Sequence, residues 1–370
     1  MKTLSGWLIL IISLSVIAIG IVSLLTYLVP DPPAETVNNA RLALSGAGTR
    51  RAESYADGLY SEAQADYDSA MSRWKAENRK FIFFRNYADV EVFAAKALRL
   101  AQQSAYLSVT NSGRLREKLK EKIDSLIITR DNIEVLFGRY PYSPEARLRI
   151  ANGKMLLREG YLAFRDSDYL KANLKIVDAG YLLTGVYNNT IKELEEYFRS
   201  FQSWADLFQN AVKTSAKNKN VSLVIDKMAK KCYVYSGGFL RLEYDVELGR
   251  NWIGKKRVMG DKATPEGSYS ITNKIQGNKT LYHKSLALDY PNTDDQARFR
   301  NDLAKGVLAS TANIGGGIEI HGGGGRGIDW TDGCIALTDK DIDIVYSLVS
   351  QGTPVTIVGS VKPLNEILKR

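Results

Sequence analysis

The stretch I-E-I-H-G-G-G-G-R-G-I-D-W-T-D-G-C-I-A-L-T, residues 318–338, decides how the C-terminal part of this chain is read. An apolar, strand-like run ends at His321, a glycine-rich loop follows, and Cys334 closes the segment. The whole chain of 370 residues has only 2 cysteines and 2 histidines, so other sites of thiol or imidazole chemistry are few. A thiol with a pKa near ~8.5 is mostly protonated at neutral pH and needs a base or a positive environment to become a nucleophile. His321 supplies that base. Gly322 to Gly325 and Gly333 permit positive φ and let backbone N–H groups approach a bound carbonyl, the arrangement that stabilises an oxyanion. A second reading is open on cysteine counting alone: a disulfide between Cys232 and Cys334. The glycine run lacks the Lys-Ser/Thr ending of a phosphate loop, so nucleotide binding is not expected. Without C-x-x-C or H-E-x-x-H spacing there is no zinc motif, and neither a metal nor a cofactor is expected.

Read with their surroundings, His321-Gly322 and Thr331-Asp332-Gly333-Cys334-Ile335 resemble the signature of the L,D-transpeptidase catalytic domain, the YkuD domain, which remodels bacterial peptidoglycan. The segment V-S-L-V-I-D-K-M-A-K-K-C-Y-V-Y at 221–235 and the Thr264-Pro265-Glu266-Gly267 turn follow in the family's order. The segment L-A-L-D-Y-P-N at 286–292 is similar to one in its Gram-negative branch. The resemblance covers about residues 220–359.

It implies that Cys334, activated by His321, attacks the carbonyl preceding the terminal D-amino acid of a peptidoglycan stem peptide, at the L-centre of a diamino acid. The D-amino acid leaves, and an amine resolves the thioester. In the family the backbone carbonyl after the base orients the imidazole, which maps to Gly322. The oxyanion donors map to the amides of Asp332, Gly333 and Cys334. Two positions depart from the pattern. Asp332 stands where many relatives have histidine, and it is expected to pair with His321 or Arg326. Ala336 stands where many have arginine.

Arg326, Trp330, Tyr290 and His283 are the candidates for lining a substrate cleft, with Arg257 a further cation. Each has a plainer reading. An arginine in a basic protein is usually a solvated charge, and His283 sits at a strand entrance where a surface histidine is ordinary. Cys232, in a strand-like run, reads as a buried core residue.

Residues 7–29 form an apolar stretch without a charge, close to the ~20 residues that span a bilayer and longer than a signal-peptide core. A transmembrane helix is expected, with Trp7 and Tyr27 as interfacial aromatics. Lys2 before it and Asp31 and Glu35 after it favour the N-terminus inside. This implies a single pass through the inner membrane with the catalytic domain in the periplasm. The 50 Lys and Arg against 41 Asp and Glu give a net charge of +9, which suits an anionic envelope. The basic residues are scattered among acids and no nucleic-acid motif appears, so nucleic acid is not an expected partner.

The expected fold class is multidomain. Residues 1–30 are a stub and anchor, 31–215 an all-α domain of helical hairpins, 216–220 a polar linker, 221–360 the mostly-β transpeptidase-like domain, and 361–370 a tail. Helix breaks are expected near Ser45–Gly48, Asn111–Gly113 and Tyr140–Pro144, with Ser143 as an N-cap before Pro144. Residues 84–105 and 164–183 form a faint repeat suggesting two antiparallel hairpins. The helical region serves as a spacer or as a docking surface for cell-wall protein partners. On function, the runner-up readings are an L,D-carboxypeptidase or amidase-type hydrolase on the same scaffold, and an inert wall-binding scaffold protein.

Overall fold

The computed structural model describes residues 3–369. Its contacts divide the chain into two units, Met1–Asp124 with Glu159–Ile176, and Ser125–Arg158 with Val177–Arg370. Among the described residues eight α-helices come first: α1 (Thr3–Leu28), α2 (Ala34–Thr49), α3 (Ala52–Tyr55), α4 (Asp57–Asn78), α5 (Ala88–Val135), α6 (Pro144–Arg165), α7 (Tyr169–Tyr197) and α8 (Phe201–Asn218).

Within α1, Gly6–Leu28 is a 23-residue apolar run of mean hydropathy 3.0 with none of it buried, long enough to cross a membrane. Lys2, on which the expected orientation rests, lies outside the described residues. The rest of the first unit is held together largely by alanine. Ala40, Ala47, Ala63, Ala70, Ala94, Ala97 and Ala101 are all 0 % exposed. Side chains this small let helix axes approach closely. Val37 packs with Ala70, Tyr87, Val90 and Ala94, and Leu44 packs with Ala63, Leu100 and Ala101. Hence α2 runs parallel to α5 and antiparallel to α4.

The expected break at Asn111–Gly113 does not occur, because α5 runs through it for 48 residues. The polar side chains there are satisfied without leaving the helix: Asn111 Nδ2 donates to Tyr55 O at 2.8 Å and Ser112 Oγ to Val109 O at 3.1 Å. Gly113 costs about 1 kcal/mol against alanine, too little to stop a packed helix. The break at 140–144 is present. Ser143 Oγ accepts from the Ala146 N–H at 3.1 Å, capping the turn that Pro144 opens. The two repeat segments flank the α4–α5 and α6–α7 turns. Both helix pairs are antiparallel, as the ion pairs Lys96–Asp66 and Lys175–Glu159 show.

The second unit contains β1 (Val221–Asp226), β2 (Lys231–Ser236), β3 (Phe239–Asp245), β4 (Gly267–Gln276), β5 (Lys284–Leu288), α9 (Thr293–Ala304), β6 (Glu319–His321), β7 (Ile335–Ala336), α10 (Asp339–Leu348), β8 (Pro354–Val358) and α11 (Leu364–Ile367). The strands form one sheet in the order β3-β2-β1-β8-β4-β5-β6-β7. The Glu247–Ala336 and Gly249–Thr331 bridges bring the chain after β3 against β7, so the sheet curls. β1 is apolar almost throughout and buried on both faces, as suits a central strand. β3, an exposed edge, carries Arg241, Glu243 and Asp245.

The segment expected to be a linker at 216–220 is mostly the last turn of α8, which ends at Asn218. Trp204 and Ala211 of α8 share a core with Val224 of β1 and Val358 of β8. The C-terminal helices are therefore built onto the sheet rather than tethered to it. Burial of Trp204, only 1 % exposed, outweighs the polar composition of the stretch that follows.

Candidate active site

β6 is three residues long and ends at His321, and it pairs with β7 in parallel, Ile320 opposite Ile335 and His321 opposite Ala336. Ile320 and Ile335 are both 0 % exposed and point into the core. Side chains alternate along a strand, so His321, and Cys334 just before β7, leave by the other face. Gly333 makes the turn before the cysteine with φ +134, and a Cβ there would stand 2.7 Å from Ala263 O. Only glycine fits.

His321 is fixed on three sides. Its Nδ1 lies 2.6 Å from Gly322 O, a carbonyl that only accepts, so Nδ1 carries the proton and Nε2 the lone pair. Tyr282 stacks on the imidazole with centroids 3.6 Å apart and an interplanar angle of 11°. Trp330 meets it edge-on at 5.8 Å. Nε2 is buried and makes no hydrogen bond. Burial lowers the imidazole pKa from its ordinary value, the Gly322 carbonyl opposes this, and Arg326 adds to the lowering.

The Cys334 thiol is half-buried and donates weakly to Gly317 O at 3.5 Å. Burial raises its pKa; the Glu319 amide and Lys256 pull it down, while the Glu319 and Asp332 carboxylates push it up. A raised thiol and a lowered imidazole both rest in their neutral forms rather than as thiolate and imidazolium. Neutral His321 is present above a pKa below 6.5, so turnover should rise through that value and stay flat at neutral pH. Iodoacetamide alkylation of Cys334 should reach half its limit only at a pH above that of an ordinary thiol. An alkylation rate already at its limit near pH 6 would mean a preformed ion pair and contradict this.

The thiol opens into a cleft of about 310 Å³ lined by Lys256, Met259, Lys262, Gly315–Gly317, Asp332 and Cys334. Lys256 is held by Asp261 at 2.8 Å. Lys262 is exposed and adopts a left-handed conformation, φ 57.

Residues 220–357 match the family model of the L,D-transpeptidase catalytic domain, YkuD. Solved structures similar to the chain include Bd1075 of Bdellovibrio bacteriovorus, at 22 % identity and TM-score 0.29, covering 41 % of this chain and 52 % of that one. Another is the L,D-transpeptidase of Stackebrandtia nassauensis, at 16 % identity and TM-score 0.27, covering 38 % and 57 %. A third is an L,D-transpeptidase of Mycobacterium smegmatis, at 15 % identity and TM-score 0.26, covering 38 % and 58 %. The chain thus spans just over half the length of these structures. No curated protein matches it.

Within residues 220–357, several expected site residues stand elsewhere than anticipated. Asp332 pairs with neither His321 nor Arg326. His321 is committed to Gly322, and Arg326 lies over the Trp330 ring at 3.5 Å with Nε donating to Gly323 O at 3.2 Å. Asp332 faces the lysine-bearing cleft instead. His283 points away to α10, its Nε2 2.8 Å from Asp343 Oδ1. Tyr290 is 5 % exposed, with its hydroxyl donating to Ile314 O at 3.3 Å; it is a core residue. The Gly333 N–H donates to Thr331 Oγ1 at 3.2 Å, so among the three expected oxyanion amides it is already engaged. Cys232 and Cys334 are both free thiols, which removes the disulfide reading. Cys232 lies in the core, where burial pushes its pKa up to about 12.

Residues that motif reading missed hold the site together. Glu247 accepts from the Gly327 amide at 2.5 Å and from Trp330 Nε1 at 2.7 Å, fastening both arms of the glycine loop. Asp329 accepts from the Leu248 amide at 2.8 Å and pairs with Arg139 at 2.7 Å and Lys230 at 2.9 Å. Behind the Thr-Pro-Glu-Gly turn, Glu266 accepts from Lys227, Tyr197 and Trp204 at 2.8, 2.7 and 2.9 Å. Tyr197 belongs to α7, Trp204 to α8 and Arg139 to the turn between α5 and α6, so two loops of the site are held by residues before β1.

Proposed function

We propose that this protein is a membrane-anchored peptidoglycan L,D-transpeptidase, with Cys334 as nucleophile and His321 as general base. The observation that carries this reading is the imidazole locked with its proton on Nδ1 and its Nε2 lone pair free. It shares a face with Cys334, whose thiol opens into a cleft within a domain that matches the L,D-transpeptidase family. Nε2 takes the thiol proton as Sγ attacks the stem-peptide carbonyl. The tetrahedral oxyanion is met by the Asp332 and Cys334 amides. The proton then passes to the departing D-amino acid nitrogen, leaving a thioester, and an acceptor amine attacks it and returns a proton through Nε2 to the regenerated thiol. α1 holds the enzyme in the inner membrane, N-terminus inside, so the chemistry takes place in the periplasm.

Asp332 and Lys262 set opposite charges in the cleft beside the thiol. They suit a substrate group bearing both ammonium and carboxylate, such as the free end of a diamino acid. Asp332→Asn should raise KM roughly tenfold, the scale of a lost charged hydrogen bond, with a smaller effect on kcat. It should also shift Cys334 alkylation to lower pH, since the Asp332 carboxylate raises the thiol pKa. An unchanged KM would remove Asp332 from substrate recognition.

The reaction is tested by incubating the full chain in detergent with disaccharide-tetrapeptides and analysing products by mass spectrometry, beside Cys334→Ala. Cross-linked dimer with release of one D-amino acid is the expected product. Trimmed monomer alone would assign the scaffold to hydrolysis, and no release at all would overturn both.

A further inference from the structure

The α4–α5 turn carries an exposed aromatic tip that nothing in the catalytic account uses. Its sequence, R-K-F-I-F-F-R at 79–85, has three cations and no acid. Phe81 is 66 % exposed and Phe84 75 %, with Ile82 and Phe83 each at 37 %. The rings gather on one another, Phe81 lying 5.6 Å from Phe83 and 6.1 Å from Phe84.

The tip is held in shape rather than loose. Lys80 pairs with Glu77 at 2.6 Å, and the other Glu77 oxygen accepts from the Asn86 amide at 2.9 Å. Arg85 donates to Asn78 O and Lys80 O, both at 3.2 Å, and Tyr87 OH donates to Asn78 Oδ1 at 2.6 Å. The aromatic rings are thus presented outward by a clamped loop, an arrangement that exposes apolar area without a partner in the unit.

Its position supplies the partner. α2 begins at Ala34, with five residues between it and the end of α1, a connection that spans at most about 22 Å. The first turn of α2 lies against the start of α5: Thr36 Oγ1 donates to Glu91 at 2.8 Å, and Val37 packs with Tyr87 and Val90. The start of α2, the end of α4 and the start of α5 therefore share one end of the unit, the end that continues into the apolar helix. Tyr27, 87 % exposed, marks that end of α1. Aromatic side chains gather at the headgroup level of a bilayer, and flanking cations are drawn to anionic lipid.

We infer that the Phe81–Phe84 tip is a second membrane contact, inserted at the headgroup level of an anionic bilayer beside α1. It rests on the reading of α1 as a membrane anchor and fixes the first unit at two points on the surface instead of one.

The test places an environment-sensitive fluorophore at Phe84→Cys in full chain carrying Cys334→Ala, reconstituted in phosphatidylcholine vesicles with or without phosphatidylglycerol. Quenching by headgroup-depth and acyl-chain nitroxide lipids is then read. Leu14→Cys in α1 reports the anchor, and Tyr106→Cys reports an exposed position far along α5. The expected result is headgroup-depth quenching at position 84 roughly threefold or more above position 106, stronger with phosphatidylglycerol. Deep quenching at position 14 with equal quenching at 84 and 106 would overturn the tip contact and leave the anchor standing. No quenching at position 14 would remove the anchor, and the inference with it. Shielding at 84 without lipid quenching would assign the tip to a second copy of the chain.

Discussion

His321→Ala will slow acyl transfer to Cys334 by roughly a hundred- to ten-thousand-fold at neutral pH, the range ascribed to a positioned general base. The size of the effect follows from the resting state. Burial raises the thiol and lowers the imidazole, so little thiolate exists before substrate arrives and nearly all reactive sulfur must be made during attack. Nε2 is the atom placed to accept that proton, because Nδ1 is tied to Gly322 O at 2.6 Å. The loss should shrink as pH rises above the thiol pKa, where solvent generates the thiolate without help. Single-turnover rates from neutral to alkaline pH, on wild type and variant of equal thermal stability, read this directly. A deficit that does not narrow would mean that His321 acts through structure and not as a base.

Glu266→Gln will destabilise the second unit by about 3–5 kcal/mol, the scale of a buried ion pair broken on one side. Lys227 and Glu266 are both 0 % exposed at the side chain and 2.8 Å apart. Burial alone would raise the Glu266 carboxyl pKa, but Lys227, Tyr197 and Trp204 together hold it below its ordinary value. Glutamine keeps an acceptor for Tyr197 and a polar group near Trp204 but leaves the ammonium without a counter-charge. Adding Lys227→Met should recover most of the loss, since removing both charges also removes the desolvation cost. Urea unfolding followed by near-UV circular dichroism measures both variants. A double variant as unstable as the single one would show that shape, not charge, sets the cost. Because Glu266 lies in the Thr-Pro-Glu-Gly turn, a few residues beyond the cleft residue Lys262, the single variant should also lose activity below its unfolding midpoint.

These two expectations draw on different depths of information in the sequence. The motif order placed a mostly-β domain at the C-terminus and set His321 and Cys334 at the two ends of one glycine-rich loop; that the loop joins the paired strands β6 and β7 comes only from the sheet. Local capping chemistry likewise marked the start of α6 at Ser143-Pro144. Long-range partners left no such trace. Tyr282 reaches His321 only because β5 pairs with β6, Ser285 opposite His321. Glu247 reaches the glycine loop through an isolated bridge to Ala336. Tyr197 and Trp204 lie in segments that read simply as amphipathic helix, and their hydrogen bonds to Glu266 depend on α8 docking on β1 and β8. Composition misled at Asn111–Gly113, where turn-forming residues are absorbed by a helix that satisfies them. It misled again at 216–220, where polar residues end a helix anchored one turn earlier by Ser215, itself 0 % exposed. For Tyr290 and His283, proximity in sequence to a family segment said nothing of the side-chain direction, which the strand pairing and α10 decide.

In the proposed reaction Cys334 carries the acyl group. Incubating the full chain with a tetrapeptide donor and no acceptor, then quenching in acid and mapping peptides by mass spectrometry, tests it most directly. The expected result is a hydroxylamine-labile adduct on the peptide containing Cys334, equal in mass to the donor less its terminal D-amino acid, and absent from Cys334→Ser under the same treatment. An adduct on another residue, or D-amino acid released at the wild-type rate by Cys334→Ser, would contradict the account.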